Sequence, residues 1–106
     1  MSDNVLVRRD GSIGHLSLDR PQALHALTSD MVGALTAALL EWRGDPAVKA
    51  VLIDHAGGRG FCAGGDVAAV RRSVLEDGGA GGRAFFRAEY RLNHLLFTYP
   101  RPVIAF

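Results

Sequence analysis

The stretch Gly57-Gly58-Arg59-Gly60-Phe61-Cys62-Ala63-Gly64-Gly65-Asp66-Val67 is the most informative part of this chain. It follows the apolar run Val48–Asp54, which is typical of a buried strand, and it leads into Val67–Leu75, which has the pattern of a helix. A glycine-dense turn between a strand and a helix leaves backbone N–H groups unpaired at the helix start and lets a ligand approach the main chain closely. Such donors suit the negative charge that develops on a carbonyl oxygen, as in an oxyanion hole.

Three other interpretations use the same glycines. Gly60 to Gly65 has the spacing of a P-loop, but Asp66-Val67 stands where that motif requires Lys-Ser/Thr, and a carboxylate there would repel a triphosphate. The pattern Gly58-x-Gly60-x-x-Ala63 matches a loose dinucleotide fingerprint, yet the acids that follow end a helix-like run instead of a second strand. The third interpretation is a glycine-rich turn that binds no ligand.

The composition is that of one small globular domain. The chain has 106 residues, is 48% hydrophobic and carries a formal charge of +1, which implies no nucleic-acid partner. Its longest apolar run is far shorter than the ~18 residues that span a membrane, so we expect no membrane partner. The N-terminus lacks the h-region of a secretory signal. The single Cys62 excludes an internal disulfide and fits a reducing compartment, so we expect a cytoplasmic location.

Turn and periodicity signals predict alternating strands and helices. Because strands separated by helices need crossover connections and at least one parallel pair, the pattern alone predicts an α/β fold. The predicted elements, in chain order, are strands over Val5–Arg9 and Ile13–Asp19 around a turn at Asp10-Gly11, a helix from Thr28–Asp30 to Gly44-Asp45-Pro46, the Val48–Asp54 strand, the Val67–Leu75 helix, a glycine loop over Gly78–Gly82, a helix over Ala84–Thr98, and an apolar strand over Arg101–Phe106.

The first predicted helix carries a single apolar stripe, and we expect Ser29 or Asp30 to cap its N-terminus. The stripe consists of Met31, Leu35, Ala38, Leu39 and Trp42. In the last predicted helix the inward positions are Phe85, Leu92, Leu95 and Leu96.

Two motifs resemble the crotonase (enoyl-CoA hydratase/isomerase) superfamily. Phe-Cys-Ala-Gly-Gly-Asp-Val at 61–67 resembles its first oxyanion-hole segment. Asp-Arg-Pro-Gln-Ala-Leu-His-Ala-Leu at 19–27 resembles its Arg-Pro-x-Ala-Leu-Asn-Ala-Leu signature, with His25 where Asn is usual. The resemblance covers nearly the whole chain and implies ββα units wound into a spiral. Residues 1–106 would then form the N-terminal part of a single crotonase-like domain, an incomplete spiral.

The same resemblance implies roles for individual residues. The backbone N–H of Ala63 would point at a thioester oxygen, and losing one of two such donors costs ~3–4 kcal/mol of barrier. Gln22, Ala23 and His25 would contact the coenzyme A moiety through backbone or side chain.

Four further residues complete the first half of the predicted site. Gly64 and Gly65 are expected to supply a positive φ or a close backbone approach. Asp66 is expected to cap the following helix first and to contact substrate second. Val67 is the last member of this substrate-binding set.

The region Phe85–Asn93, with Tyr99-Pro100-Arg101-Pro102-Val103-Ile104-Ala105 after it, is similar to the 3-hydroxyisobutyryl-CoA hydrolase branch. In that branch an Arg-x-Glu-Tyr-x-Leu-Asn helix contributes a Glu that contacts substrate, and Glu89 is the matching residue. Taken alone, Glu89 would be a solvated or Arg-paired surface acid. The resemblance favours substrate binding instead.

The resemblance implies a thioester hydrolase of valine catabolism that acts on an acyl-CoA. It implies no separate cofactor, because coenzyme A is part of the substrate. We also expect that copies of the protein associate as a homo-oligomer. In this family the second oxyanion donor and the catalytic acids follow the last strand. We therefore expect the chain to be a fragment that holds half a site and is inactive alone. The alternatives are an enoyl-CoA hydratase or isomerase, and a non-catalytic acyl-CoA-binding or interaction fragment.

Other reactive side chains are assigned structural roles. Cys62 lies near a helix N-terminus, which would lower a thiol pKa, but its apolar neighbours favour an inward-facing small hydrophobe. The four histidines have no catalytic partner set by spacing, and no metal is predicted because no group has zinc-like spacing. These histidines are His15, His25, His55 and His94.

Overall fold

The N-terminal hairpin forms one edge of a four-stranded sheet in a computed structural model that describes residues 3–57, 62 and 64–105. The elements are strands β1 (Val5–Asp10), β2 (Ile13–Leu18), β3 (Ala50–His55) and β4 (Val103–Ala105), and helices α1 (Ser29–Arg43), α2 (Val67–Asp77) and α3 (Ala80–Phe97). A short 3₁₀ turn, Pro21–Ala23, lies between β2 and α1. The predicted order of elements is confirmed.

The sheet is mixed, with strand order β1-β2-β3-β4. The β1–β2 pair is antiparallel around Gly11, whose φ of 61° is the left-handed conformation that a tight hairpin turn requires. The β2–β3 and β3–β4 pairs are parallel. One crossover consists of α1 and the next of α2 with α3, so the predicted α/β class is confirmed.

Helix α1 supplies most of the core on one face of the sheet. Its predicted stripe is buried throughout, and Trp42 lies directly on Gly14 of β2, where a side chain would overlap the indole ring. The predicted cap was wrong by one residue. Thr28, in extended conformation, accepts the N–H of Met31, while Ser29 already belongs to the helix.

The predicted loop over Gly78–Gly82 is wrong, because α3 begins at Ala80 and not at Ala84. Only Gly78 and Gly79 form the turn, with φ of 69° and 90°. Gly82 lies inside the helix and faces α2, where a Cβ atom would be 3.3 Å from Val70 Cγ1. These glycines therefore permit close packing of two helices.

The segment after α3 is attached to the end of α1. The Tyr99 hydroxyl donates to the Leu39 carbonyl at 2.6 Å, and the Arg101 guanidinium donates to the carbonyls of Trp42 and Arg43, both at 2.9 Å. A cation at a helix C-terminus is stabilised by unpaired carbonyls and by the helix dipole. These bonds bring β4 beside β3.

Candidate functional site

The two segments that carry the sequence motifs lie side by side. Residues 20–27 form the connector between β2 and α1. Leu27, at the end of this connector, forms an isolated parallel bridge with Gly65. The Leu27 N–H donates to the Gly64 carbonyl at 2.7 Å, and the Asp66 N–H donates to the Leu27 carbonyl at 2.9 Å. The connector therefore pairs with the last residues of the glycine-rich stretch 57–67, called the glycine segment below.

Asp66 caps α2, as predicted. Its Oδ1 accepts the N–H of Ala69 at 3.1 Å, and its Oδ2 forms an ion pair with Arg20 Nη2 at 3.0 Å. The Ala69 N–H and the Arg20 guanidinium outweigh the effect of burial and hold the pKa of Asp66 below its ordinary value. The contact of Asp66 with substrate remains a prediction, and so does that of Val67, which begins α2 and is 78% exposed.

His25 is fully buried, and both of its ring nitrogens face backbone groups. Nδ1 accepts the Arg20 N–H at 3.0 Å, so Nε2 carries the proton and donates to the Gly57 carbonyl at 2.6 Å. The backbone makes this approach through left-handed residues Leu24 and His25, with φ of 52° and 57°. Both ring nitrogens are therefore already hydrogen-bonded within the protein. The predicted contact of His25 with coenzyme A remains a prediction for its backbone atoms.

The other two predicted coenzyme A contacts lie on the 3₁₀ turn. Gln22 is exposed and Ala23 is half-buried, so both can be reached from solvent. Their role in binding remains a prediction.

The structure gives a physical reason for glycine at each of the two predicted positions, 64 and 65. Gly64 has φ of 94°, which an L side chain rarely adopts. At Gly65 the reason is space, because a Cβ atom there would lie 3.0 Å from both Glu89 Oε2 and Phe85 Cε2. The expectation of a positive φ or a close approach is confirmed, with one case at each position.

Glu89 lies on α3 with its carboxylate against Gly65. The residue is half-buried and, with Gly65, Val67, Phe85 and Phe86, lines a cavity of about 140 Å³ next to the glycine segment. Within the described ranges, the structure shows no hydrogen bond or ion pair for this carboxylate. Glu89 is thus neither Arg-paired there nor fully solvated.

A second, larger cavity opens at the carboxyl ends of the parallel strands. It measures about 490 Å³, and apart from Asn93 its lining is apolar or thiol. Cys62 lines it and packs against the core, with its Sγ 3.4 Å from the Gly64 N–H, in keeping with the predicted role as a small hydrophobe. Ala63, the predicted oxyanion donor, lies outside the described residues, and its role remains a prediction.

Ser17, His15 and Asp54 meet on the other face of the sheet, which sequence reasoning did not predict. Ser17 Oγ donates to Asp54 Oδ1, and His15 Nε2 lies 2.9 Å from Asp54 Oδ2 and 3.2 Å from Ser17 Oγ. Burial alone would raise the pKa of Asp54, but the bonds from Ser17 and His15 lower it. In a nucleophilic triad the acid and the serine use different ring nitrogens, so this cluster is not one.

In the part of the chain that the structure describes, no three His, Cys, Asp or Glu side chains are grouped so as to hold a metal ion. The same described residues include no helix long and apolar enough to cross a membrane.

Comparisons with known proteins agree with the fold and the motifs. The enoyl-CoA hydratase/isomerase family model matches residues 13–106. The mitochondrial 3-hydroxyisobutyryl-CoA hydrolase of Danio rerio is 40% identical over 104 residues, which are 95% of this chain and 26% of that protein. The small ribosomal subunit protein mS47 of Neurospora crassa is 36% identical over 98% of this chain and 21% of its own length.

A solved structure shows the same architecture. The carnitinyl-CoA dehydratase of Mycobacterium thermoresistibile superposes with a TM-score of 0.92 at 44% identity, over 98% of this chain and 30% of that one. The chain thus spans about a quarter of the length of the hydrolases that it matches and contains only part of the full fold. By its family match, its fold and its two paired motif segments, this chain belongs to the enoyl-CoA hydratase/isomerase (crotonase) family.

Proposed function

We propose that the full-length protein hydrolyses an acyl-CoA thioester, and that 3-hydroxyisobutyryl-CoA is its substrate. The observation that carries the proposal is the Glu89 carboxylate, which lies against Gly65 and has no hydrogen-bond or ion-pair partner among the described residues. A half-buried carboxylate is costly unless it is paired or used, and a substrate hydroxyl would satisfy it. The identity of about 40% with 3-hydroxyisobutyryl-CoA hydrolases supports this choice.

In the proposed reaction, water adds to the thioester carbonyl carbon and the C–S bond breaks. The products are the carboxylic acid and coenzyme A, whose sulfur receives the proton that water loses. The backbone N–H of Ala63 would hold the developing oxyanion together with a second donor outside this chain. Gln22, Ala23 and the backbone of His25 would lie against coenzyme A. Because coenzyme A is part of the substrate, the proposed reaction needs no separate cofactor.

The proposal also covers the cellular compartment of the protein and its oligomeric state. The single Cys62 supports a reducing compartment, and we propose the cytoplasm. We also propose that the full-length protein forms a homo-oligomer.

A second candidate is an enoyl-CoA hydratase or dehydratase, which would use the same oxyanion donor for water addition or elimination. The superposition on the carnitinyl-CoA dehydratase favours it. A third is a non-catalytic acyl-CoA-binding or interaction module, which the similarity to protein mS47 favours.

The deciding experiment assays the purified full-length protein with three thioesters: 3-hydroxyisobutyryl-CoA, isobutyryl-CoA and an enoyl-CoA. Free thiol is measured with a chromogenic disulfide, and the enoyl group by its ultraviolet absorbance. We expect saturable thiol release, fastest with the 3-hydroxy substrate. Loss of the enoyl absorbance without thiol release would establish the hydratase instead, and binding without turnover would establish the non-catalytic module.

A further inference from the structure

We infer that Arg20 and His25 are positioning residues that fix the two ends of the glycine segment, so that its backbone donors are aligned before substrate binds. The inference rests on the proposed function, since it concerns the glycine segment that is proposed to supply the oxyanion donor. It assigns to the 20–27 connector a role in catalysis that is separate from contact with coenzyme A.

At the entry to the segment, His25 holds Gly57. Its Nε2–H donates to the Gly57 carbonyl at 2.6 Å, and its Nδ1 accepts from the Arg20 backbone at 3.0 Å. The Gly57 carbonyl also lies 3.1 Å from His55 Nδ1. Because the His25 ring is fully buried, water cannot replace these bonds, and the imidazole fixes the distance between the connector and the end of β3.

At the exit from the segment, Arg20 holds Asp66. One guanidinium nitrogen pairs with Asp66 Oδ2 at 3.0 Å, while the other donates to the Ala26 carbonyl at 3.0 Å. The bridge between Leu27 and Gly65 lies beside this pair. The two ends are therefore tied to one short connector, which is closed on itself by the His25 N–H to Arg20 carbonyl bond at 2.9 Å.

This arrangement matters for catalysis because oxyanion donors act through preorganisation. A backbone donor that is not held in place must be reoriented during the reaction, and small misplacements of reacting groups have large effects on rate. Loosening either end should lower kcat more than it weakens binding of the ground state.

The test uses the full-length protein with His25→Leu and Arg20→Met, which remove the bonds but keep apolar volume. Matched controls are His94→Leu and Arg91→Met, since both residues are exposed on α3. His25→Asn serves as the conservative variant, because an amide can both accept and donate. Amide hydrogen exchange at Leu27 and Asp66 reports the connector pairing, and kcat, KM and the Kd of a non-hydrolysable CoA thioether report catalysis and binding.

We expect His25→Leu and Arg20→Met to speed exchange at Leu27 and Asp66 by at least about tenfold, with α1 amides unchanged. We expect kcat to fall about 10- to 100-fold while the thioether Kd changes less than about threefold. His25→Asn should recover part of kcat, and the two controls should match the wild type. If His25→Leu does not fold, Arg20→Met and His25→Asn carry the test.

The outcomes separate this inference from the proposed function. Unchanged exchange at Leu27 and Asp66 would overturn the inference, and so would faster exchange with unchanged kcat in an active enzyme. An equal increase in amide exchange over α1 and the connector would also overturn the inference, because a uniform increase indicates general destabilisation of the protein. Faster exchange confined to the connector, together with a fall in the kcat of enoyl-CoA hydration in a protein that releases no thiol from any acyl-CoA, would support the inference and remove the proposed hydrolase.

Discussion

The two sides of the candidate site are built differently. On the connector side, Arg20, His25 and Asp66 are bonded to backbone or to each other. On the α3 side, the Glu89 carboxylate lies against Gly65 and has no hydrogen-bond or ion-pair partner among the described residues. A fully bonded polar cluster orders the backbone, whereas an unpartnered carboxylate retains the capacity to bind a ligand. We therefore propose a division of roles, in which the connector side aligns the backbone and the α3 side recognises substrate.

The largest expected effect comes from removing the donor that the connector side is proposed to align. In the full-length enzyme, Ala63→Pro lacks the N–H and should lower kcat at least ~100-fold, whereas Ala63→Ser keeps the donor and should be much milder. The melting temperature must be followed in parallel, because proline can also disturb the loop. Equal and small effects of both variants would show that this turn is structural.

The recognition side is tested at Glu89. Glu89→Ala should lower kcat/KM about 10- to 100-fold for the 3-hydroxy substrate, since a lost hydrogen bond to a substrate hydroxyl costs ~1–3 kcal/mol. Glu89→Gln keeps the size and should cost less, and a substrate without the hydroxyl should be affected less by either change. Glu76→Gln, at an exposed acid on α2, is the matched control. Near-native kinetics in both Glu89 variants would remove the reason for preferring hydrolase to hydratase.

The same division explains what could be predicted from sequence. Local signals were sufficient for the hairpin at Asp10-Gly11 and for the stripe on α1, because turn chemistry and periodicity act over a few residues. The same logic failed at Gly81 and Gly82, where glycine serves contact with α2 and not a loop. Glycine enrichment alone does not distinguish these two uses.

The candidate site was predictable in part. The glycine segment and Glu89 were marked by resemblance, and the structure brings Gly65 and Glu89 together. The bonds of His25 to Gly57 and of Arg20 to Asp66 were not predictable. They join positions far apart in the chain, and the strand register that aligns them leaves no local trace in sequence.

Crowding at the boundary between the two sides gives a smaller effect. Gly65→Ala places a methyl group against Glu89 and Phe85, and overpacking of this kind costs about 1–3 kcal/mol of unfolding free energy. Gly33→Ala is the matched control, because a Cβ there meets nothing within 4 Å and should stabilise α1 by about 0.5–1 kcal/mol. Chemical denaturation measures both variants. If Gly65→Ala were as stable as the wild type, the close approach of Glu89 would have no energetic consequence.

The smallest expected effect isolates the charge of Asp66 on the connector side. Its pKa is lowered by the Ala69 N–H and by Arg20, so its contribution to stability is present above the unfolded pKa of about 3.8 and is lost as the pH falls through the folded value. Asp66→Asn keeps a cap acceptor and should cost about 1 kcal/mol at neutral pH. That difference should vanish below the folded pKa and shrink in high salt. It should also be smaller in an Arg20→Met background, where the helix cap and the charge of Arg72 remain but the ion pair is lost. Denaturation curves at several pH values measure it, and an Asp66→Asn difference that is the same at pH 3 and pH 7 would show that the ion pair with Arg20 does not stabilise the connector.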